Sequence, residues 1–142
     1  MESGTEFAAD LGRVSRRWRM RLNERLKHTG LTQSRWIALL HLSNSGPISQ
    51  RELAERIGVE GPSVVRVLDW LEDQDLVARD ACGDDRRVKL VRLTEEAEPI
   101  LKELTRISDG LRREVLADIS PEDLAVAHRA MRHIADKLEG LE

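Results

Sequence analysis

The stretch Val59-Glu60-Gly61-Pro62-Ser63-Val64-Val65-Arg66-Val67-Leu68-Asp69-Trp70-Leu71 decides how this chain is read. Gly61-Pro62 marks a helix start, because proline suits the first helical turn, where its missing N–H has no intrahelical partner anyway. Val64, Leu68 and Leu71 then recur at helical spacing and form one buried stripe. Ser63 and Arg66 fall off that stripe, near the start of the helix. The pattern describes a short helix packed on one face and presented to a partner on the other.

Its neighbour upstream is equally well marked. Ser49-Gln50-Arg51-Glu52 is a capping box, with Ser at the cap and Glu three residues later. It opens a helix through about Ile57, with Leu53, Ala54 and Ile57 inward, and Gly58 ends it. Only Val59-Glu60-Gly61 separates this helix from the one at Pro62. Two short helices joined by so tight a glycine-containing turn form a helix-turn-helix, and the small Ala54 permits close approach.

Downstream of Gln74-Asp75 the period changes from helical to alternating. Leu76-Val77-Ala78-Arg79 and Val88-Lys89-Leu90-Val91-Arg92-Leu93 read as two strands. Ala81-Cys82-Gly83-Asp84-Asp85-Arg86-Arg87 joins them as a charged hairpin tip. Residues 79–92 carry five basic side chains (Arg79, Arg86, Arg87, Lys89, Arg92) against three acidic ones (Asp80, Asp84, Asp85). A basic hairpin beside a helix-turn-helix is the wing of a winged helix.

Further out lie long helices. The first is expected from about Glu6 to Lys27, with Phe7, Leu11, Val14, Trp18, Leu22 and Leu26 in one seam. His28-Thr29-Gly30 ends it. Thr32 caps a second helix that carries Trp36, Ile37, Leu39, Leu40 and Leu42 as far as Asn44-Ser45-Gly46-Pro47. After the wing, Thr94-Glu95-Glu96 caps a helix whose Pro99 calls for a kink or a late start. Leu101, Leu104, Ile107, Leu111 and Val115 form its seam. Ser120-Pro121-Glu122-Asp123 starts the last helix, from about Glu122 to Leu138, with Leu124, Ala127, Met131, Ile134 and Leu138 on one side. These terminal arms exceed what a winged helix needs, and a second copy of the chain is the simplest surface to cover them.

Composition sets the outer bounds. The chain has 142 residues, most simply one domain over 1–142, with 40% hydrophobic and 35% charged residues. Three Trp, one Phe and no Tyr leave the core to aliphatic side chains. The net charge of -3 argues weakly against a nucleic-acid partner, but local placement of charge decides binding. The start Met1-Glu2-Ser3-Gly4-Thr5-Glu6 is acidic and has no apolar run behind it, so no secretory signal is read. No apolar run is long enough for a membrane span. A single Cys makes no internal disulfide, and the expected location is the cytoplasm. His28, His41, His128 and His133 show no ligand spacing, so no metal or cofactor is expected. Cys82, with no second Cys to resolve it, reads as an incidental turn residue. No nucleophile elbow, phosphate loop or carboxylate pair is present, and an enzyme is not expected.

Taken together, the chain resembles the MarR family of winged-helix transcriptional regulators, most closely its SlyA branch. The resemblance rests on Leu31-Thr32-Gln33-Ser34-Arg35-Trp36, Gln50-Arg51-Glu52-Leu53-Ala54, residues 57–66, and Asp85-Arg86-Arg87-Val88-Lys89 running into Leu93-Thr94. Ala97-Glu98-Pro99 also looks like that branch. The fold implied is mainly α (α+β): a winged helix-turn-helix lobe over 32–94, with dimerisation helices over 6–30 and 95–142. The family implies a homodimer that binds a pseudopalindromic double-stranded DNA operator as a repressor or anti-silencer, with the wings reaching the minor groove.

On that reading Arg66 is the first candidate for a base contact, since Arg pairs bidentately with guanine O6 and N7. Ser63 donates to a phosphate or a base edge. Arg87 enters the minor groove, whose negative potential attracts Arg. By similarity to the family wing, Asp85 holds Arg87 in its inserted pose, and Arg86 meets phosphate. Gln50 and Arg51 meet phosphate at a helix N-terminus. The resemblance also implies a pocket for a small aromatic carboxylate, with Trp36 as a stacking wall and Arg17 or Arg21 as the cation. The rival expectation is a winged helix used only for protein contact, favoured by the net charge and by the acidic Glu72-Asp73-Asp75.

Overall fold

The computed structural model of the chain describes residues 2–58, 61–82 and 85–141, apart from the side chains of Glu2, Cys82 and residues 85–87. The expected turn residues Val59-Glu60 and the hairpin tip Gly83-Asp84 lie outside the described residues. Among the described residues six α-helices and three strands follow in the order α1 (Glu2–Leu26), α2 (Gln33–Ser45), β1 (Ile48–Ser49), α3 (Gln50–Ile57), α4 (Gly61–Asp73), β2 (Val77–Cys82), β3 (Asp85–Leu93), α5 (Glu98–Leu116) and α6 (Pro121–Glu139). The chain divides into two compact units, Met1–Ser108 and Asp109–Glu142.

In the first unit α2 packs on α3, α4 and β3, and α4 packs on α3 and β2. Leu39, Leu53, Leu68 and Leu71 are fully buried there, and Val64 is 1% exposed. The stripe expected on α4 is therefore the face that the other elements cover. Trp36 is buried, and its indole N–H donates to Asn23 Oδ1 at 2.7 Å. Asn23 in turn donates to Gln33 Oε1 at 3.3 Å, which ties α1 to the start of α2. Arg35 lies 3.7 Å from the centroid of the Trp70 ring, a cation–π contact between α2 and α4.

The helix ends follow local chemistry. Ser49 accepts from Glu52 N–H at 3.0 Å, while the Glu52 carboxylate pairs with Arg56. Gly58 closes α3 with φ of 72°, a left-handed conformation that costs glycine nothing. α4 ends on Asp75, the one non-glycine residue at positive φ (60°) among the described residues. Leu76 N–H donates to Leu71 C=O and Asp75 N–H to Glu72 C=O, both at 2.9 Å, which is a Schellman closure with Asp where glycine is usual. Thr32 and Thr94 occupy cap positions without making a side-chain cap bond. The Thr94 hydroxyl donates instead to the Asp75 carbonyl, and its N–H donates to Leu76 C=O at 3.0 Å. The end of β3 is thereby fastened to the turn that follows α4.

The sheet has the order β1-β3-β2, antiparallel throughout. β1 is a strand that the sequence does not announce. Ile48 pairs with Val91 and Ser49 with Leu90. Val77 pairs with Leu93, Arg79 with Val91, and the register slips between Ala81 and Cys82. Both hairpin strands extend further toward the tip than their apolar residues suggest.

The region around Pro99 resolves as a late start. Glu95–Ala97 forms a 3-10 turn, and α5 begins at Glu98. Leu104 and Ile107 are buried in the first unit. Glu103 receives Arg106 at 2.8 and 3.0 Å and lies 3.2 Å from His28 Nε2. Arg106 first, and His28 second, hold its carboxyl down at about 2.

In the second unit Ser120 accepts from Asp123 N–H at 3.1 Å and Pro121 begins α6, as the sequence pattern predicts. α6 has no buried residue. Met131, Leu138 and Leu141 are exposed. At the other end of the chain only Leu22 and Leu26 of the α1 seam are buried, and Phe7 and Val14 are half exposed. No helix among the described residues is long and apolar enough to cross a membrane.

Leu68 is the test of this core. Leu68→Ala is expected to lower unfolding free energy by about 2–5 kcal/mol in a urea titration, with the denaturant slope unchanged. A cost under ~1 kcal/mol would mean that the α4 stripe is not what holds the lobe together.

Candidate nucleic-acid interface

The buried stripe on α4 dictates which side chains the helix can offer. With Val64, Leu68 and Leu71 turned inward, Val65, Arg66 and Asp69 are exposed and Ser63 is half-buried. Arg66 makes no ion pair with any described residue, although Asp69 sits one helical turn away. Asp69 and Glu72 are held instead by Arg79, which reaches across from β2. Arg79 Nη2 donates to Asp69 Oδ1 at 2.7 Å and to Glu72 Oε1 at 2.9 Å, and its Nε lies 3.4 Å from Glu72 Oε2. Its side chain is only 15% exposed. The Arg79 hydrogen bond holds the Glu72 carboxyl below its ordinary value, and Glu72 raises the Arg79 guanidinium in return.

This placement corrects the charge reading of the wing. Arg79 counts among its five basic residues but is spent on α4. Arg92 is paired with Asp80 across the hairpin at 2.8 Å. The positive excess therefore rests on Lys89, Arg86 and Arg87. The backbone of residues 85–87 runs in β3, and the side chains of Asp85, Arg86 and Arg87 lie outside the described residues. Parity could have exposed the role of Arg79. Residues two apart on a strand share a face, and Val77 is buried, so Arg79 faces the helix side rather than solvent.

A groove of about 800 Å³ lies between α3, α4 and β3, lined in part by Gln50, Ala54, Val64, Val65, Arg79 and Lys89. Gln50 Oε1 is buried there with no hydrogen-bond partner among the described residues. Arg51 also lines it, 90% exposed and 3.6 Å from Glu55. An ion pair that open to solvent is weak and leaves the guanidinium available to a phosphate.

The expected effector residues are not gathered there. Arg17 is exposed on α1, Arg21 is paired with Glu24 at 3.1 Å, and Trp36 is 5% exposed with its N–H engaged. None of the three lines the groove.

A helix with one buried and one open face, followed by a two-stranded hairpin, is the winged-helix arrangement. The family model of the MarR family matches residues 29–88, from the turn after α1 into β3. The crystal structure of transcriptional regulator PA3341 is 40% identical in sequence, covers 95% of this chain and 99% of its own, and superposes with a TM-score of 0.88. The chain belongs to the MarR family. Two further solved structures share its fold. AbsC, a MarR family transcriptional regulator from Streptomyces coelicolor, is 24% identical over 99% of this chain and 97% of that one, with a TM-score of 0.85. A cysteine-to-serine mutant of MarR from E. coli, complexed with operator DNA, is 21% identical over 91% of this chain and 93% of its own, with a TM-score of 0.79. The fold of this MarR chain is thus a winged helix-turn-helix: α3 and α4 form the helix-turn-helix, and β2 and β3 form the wing.

Proposed function

We propose that this chain is a sequence-specific transcriptional regulator that binds a pseudopalindromic DNA operator as a homodimer in the cytoplasm. The observation that carries the reading is Arg66, exposed on the open face of α4 and free of ion pairs with the described residues. α4 lies in the major groove, where Arg66 reads guanine and Ser63 meets a base edge or phosphate. Gln50 and Arg51 meet the backbone at the start of α3. Arg87 enters the minor groove with Asp85 holding it, and Arg86 meets phosphate. Residues 32–94 form the DNA-binding lobe, and 6–30 with 95–142 form the dimerisation lobe. The reading is that of a repressor or anti-silencer, not an enzyme. Placement within the SlyA branch rests on Asp85–Lys89 and on Ala97-Glu98-Pro99.

Arg66→Ala and Arg87→Ala are each expected to weaken operator binding by ~1–3 kcal/mol in a gel shift. Arg66→Ala should also relax base preference. Wild-type binding by both variants would sink the assignment. Affinity should fall steeply as salt rises, through counterion release. A winged helix used only for protein contact would not bind operator DNA at any salt.

The dimer is supported by the exposed apolar residues of both arms, Phe7 and Val14 on α1 and Met131 and Leu138 on α6. In analytical ultracentrifugation the chain should sediment as a dimer, and Met131→Glu with Leu138→Glu should sediment as a monomer that binds operator poorly. A dimer unchanged by both substitutions would move the interface elsewhere.

A small aromatic carboxylate is the effector class we assign, with Arg17 or Arg21 as its cation and Trp36 as its stacking wall. A salicylate-like acid, titrated into the millimolar range, should change Trp fluorescence and lower operator affinity together. A flat response across the series would remove the effector from the reading.

A further inference from the structure

Among the described residues, the arginines that pair with an acidic residue three positions away are Arg13 with Asp10, Arg21 with Glu24, Arg106 with Glu103 and Arg112 with Asp109. Residues three apart on a helix are neighbours, so such pairs form readily. Arg66 and Asp69 have the same spacing and the same order as Arg21 and Glu24, yet they do not pair. The Asp69 carboxylate is taken by Arg79 at 2.7 Å, and the adjacent Glu72 is bound by two nitrogens of the same guanidinium. Arg79 holds this position from a strand, with 85% of its side chain's surface covered (15% exposed). A fixed, forked guanidinium loses less freedom on pairing than a mobile helix arginine does. It therefore wins the competition for Asp69.

We infer that Arg79 is a positioning residue for DNA recognition: by occupying the Asp69 and Glu72 carboxylates of α4, it keeps Arg66 unpaired and available to a base. This rests on the reading of Arg66 as a base contact. It gives a wing arginine a task that is not DNA contact at all. Without Arg79, Asp69 captures Arg66, and the helix presents a closed ion pair where it should present a donor fork.

The test is a double-mutant cycle on the full-length chain, read by fluorescence anisotropy with labelled operator. Arg79→Gln should lower affinity about tenfold, within the roughly 5–150-fold range of a lost base contact. In an Arg66→Ala background the same change should cost less than about twofold, because the residue it acts through is gone. Equal losses in the two backgrounds overturn the inference while leaving Arg66 as a base contact. Wild-type affinity in Arg66→Ala alone overturns both readings, so the two failures are distinguishable. Adding Asp69→Asn and Glu72→Gln to Arg79→Gln should restore affinity to within about twofold of wild type, since no carboxylate remains to capture Arg66. That triple variant removes the three charges of the Arg79, Asp69 and Glu72 cluster together and carries the test if Arg79→Gln alone does not fold. Its binding staying about tenfold weak, with an unchanged thermal midpoint, would show that carboxylate occupancy is not the role.

Discussion

A recognition helix has to be dry on one side and wet on the other, and everything else in the first unit follows from that constraint. α4 is 13 residues long, close to the length at which an isolated helix is marginal in water. Its order comes from burying Val64, Leu68 and Leu71 against α2, α3 and β2. α3 can approach closely because Ala54 is small. Once that face is sealed, Arg66 and Asp69 have no direction left but outward. The open face is not an independent design choice, since it is what the apolar stripe leaves over.

The same helix also aims the wing. α4 closes on Asp75 in the left-handed region, and Thr94 at the end of β3 bonds the Asp75 carbonyl and Leu76. Arg79 then joins β2 back to the last two turns of α4. The hairpin is therefore tied to the helix at its base by backbone bonds and along its length by an ion pair. The two elements proposed to touch DNA share one rigid origin, which is what simultaneous major- and minor-groove contact requires.

Much of this was legible because the signals are local. Ser49 at the start of α3, Gly58 at its end, Ser120-Pro121 before α6 and the stripe on α4 each act within one helical turn, and each stands where the pattern places it. The late start of α5 at Glu98, with Pro99 in its first turn, is legible for the same reason. β1 was not, because two residues after a proline have no period. Ile48 and Ser49 become a strand only through Leu90 and Val91, more than forty positions away. The apolar seam of α1 begins only at Phe7, so the pattern places the helix start near Glu6 although it lies at Glu2, ahead of a seam that the polar residues 2–5 do not join. Thr94 looked like a helix cap by residue type, but its hydroxyl is spent on the α4 turn. Of the candidate site, the exposure of Arg66 and Ser63 follows from helical parity. The engagement of Arg79 follows from strand parity together with the packing of β2 on α4, and only the second of these needs the fold.

Charge placement resolves the apparent conflict between a net charge of -3 and a DNA-binding fold. A count over residues 79–92 suggests a basic wing, but Arg79 and Arg92 are neutralised by Asp69, Glu72 and Asp80. The count over Glu72-Asp73-Asp75 suggests an acidic recognition helix, but Glu72 is neutralised in the same exchange. The pairing removes cations and carboxylates alike from the surface between α4 and the wing. Arg66 and Lys89 among the described residues, with Arg86 and Arg87 in the sequence beside them, then carry the local sign. Potential at a groove depends on the charges left unpaired within a Debye length of it, about 8 Å at physiological salt, and hardly at all on the total. An acidic chain can therefore present a cationic edge, provided its carboxylates near that edge are occupied from within.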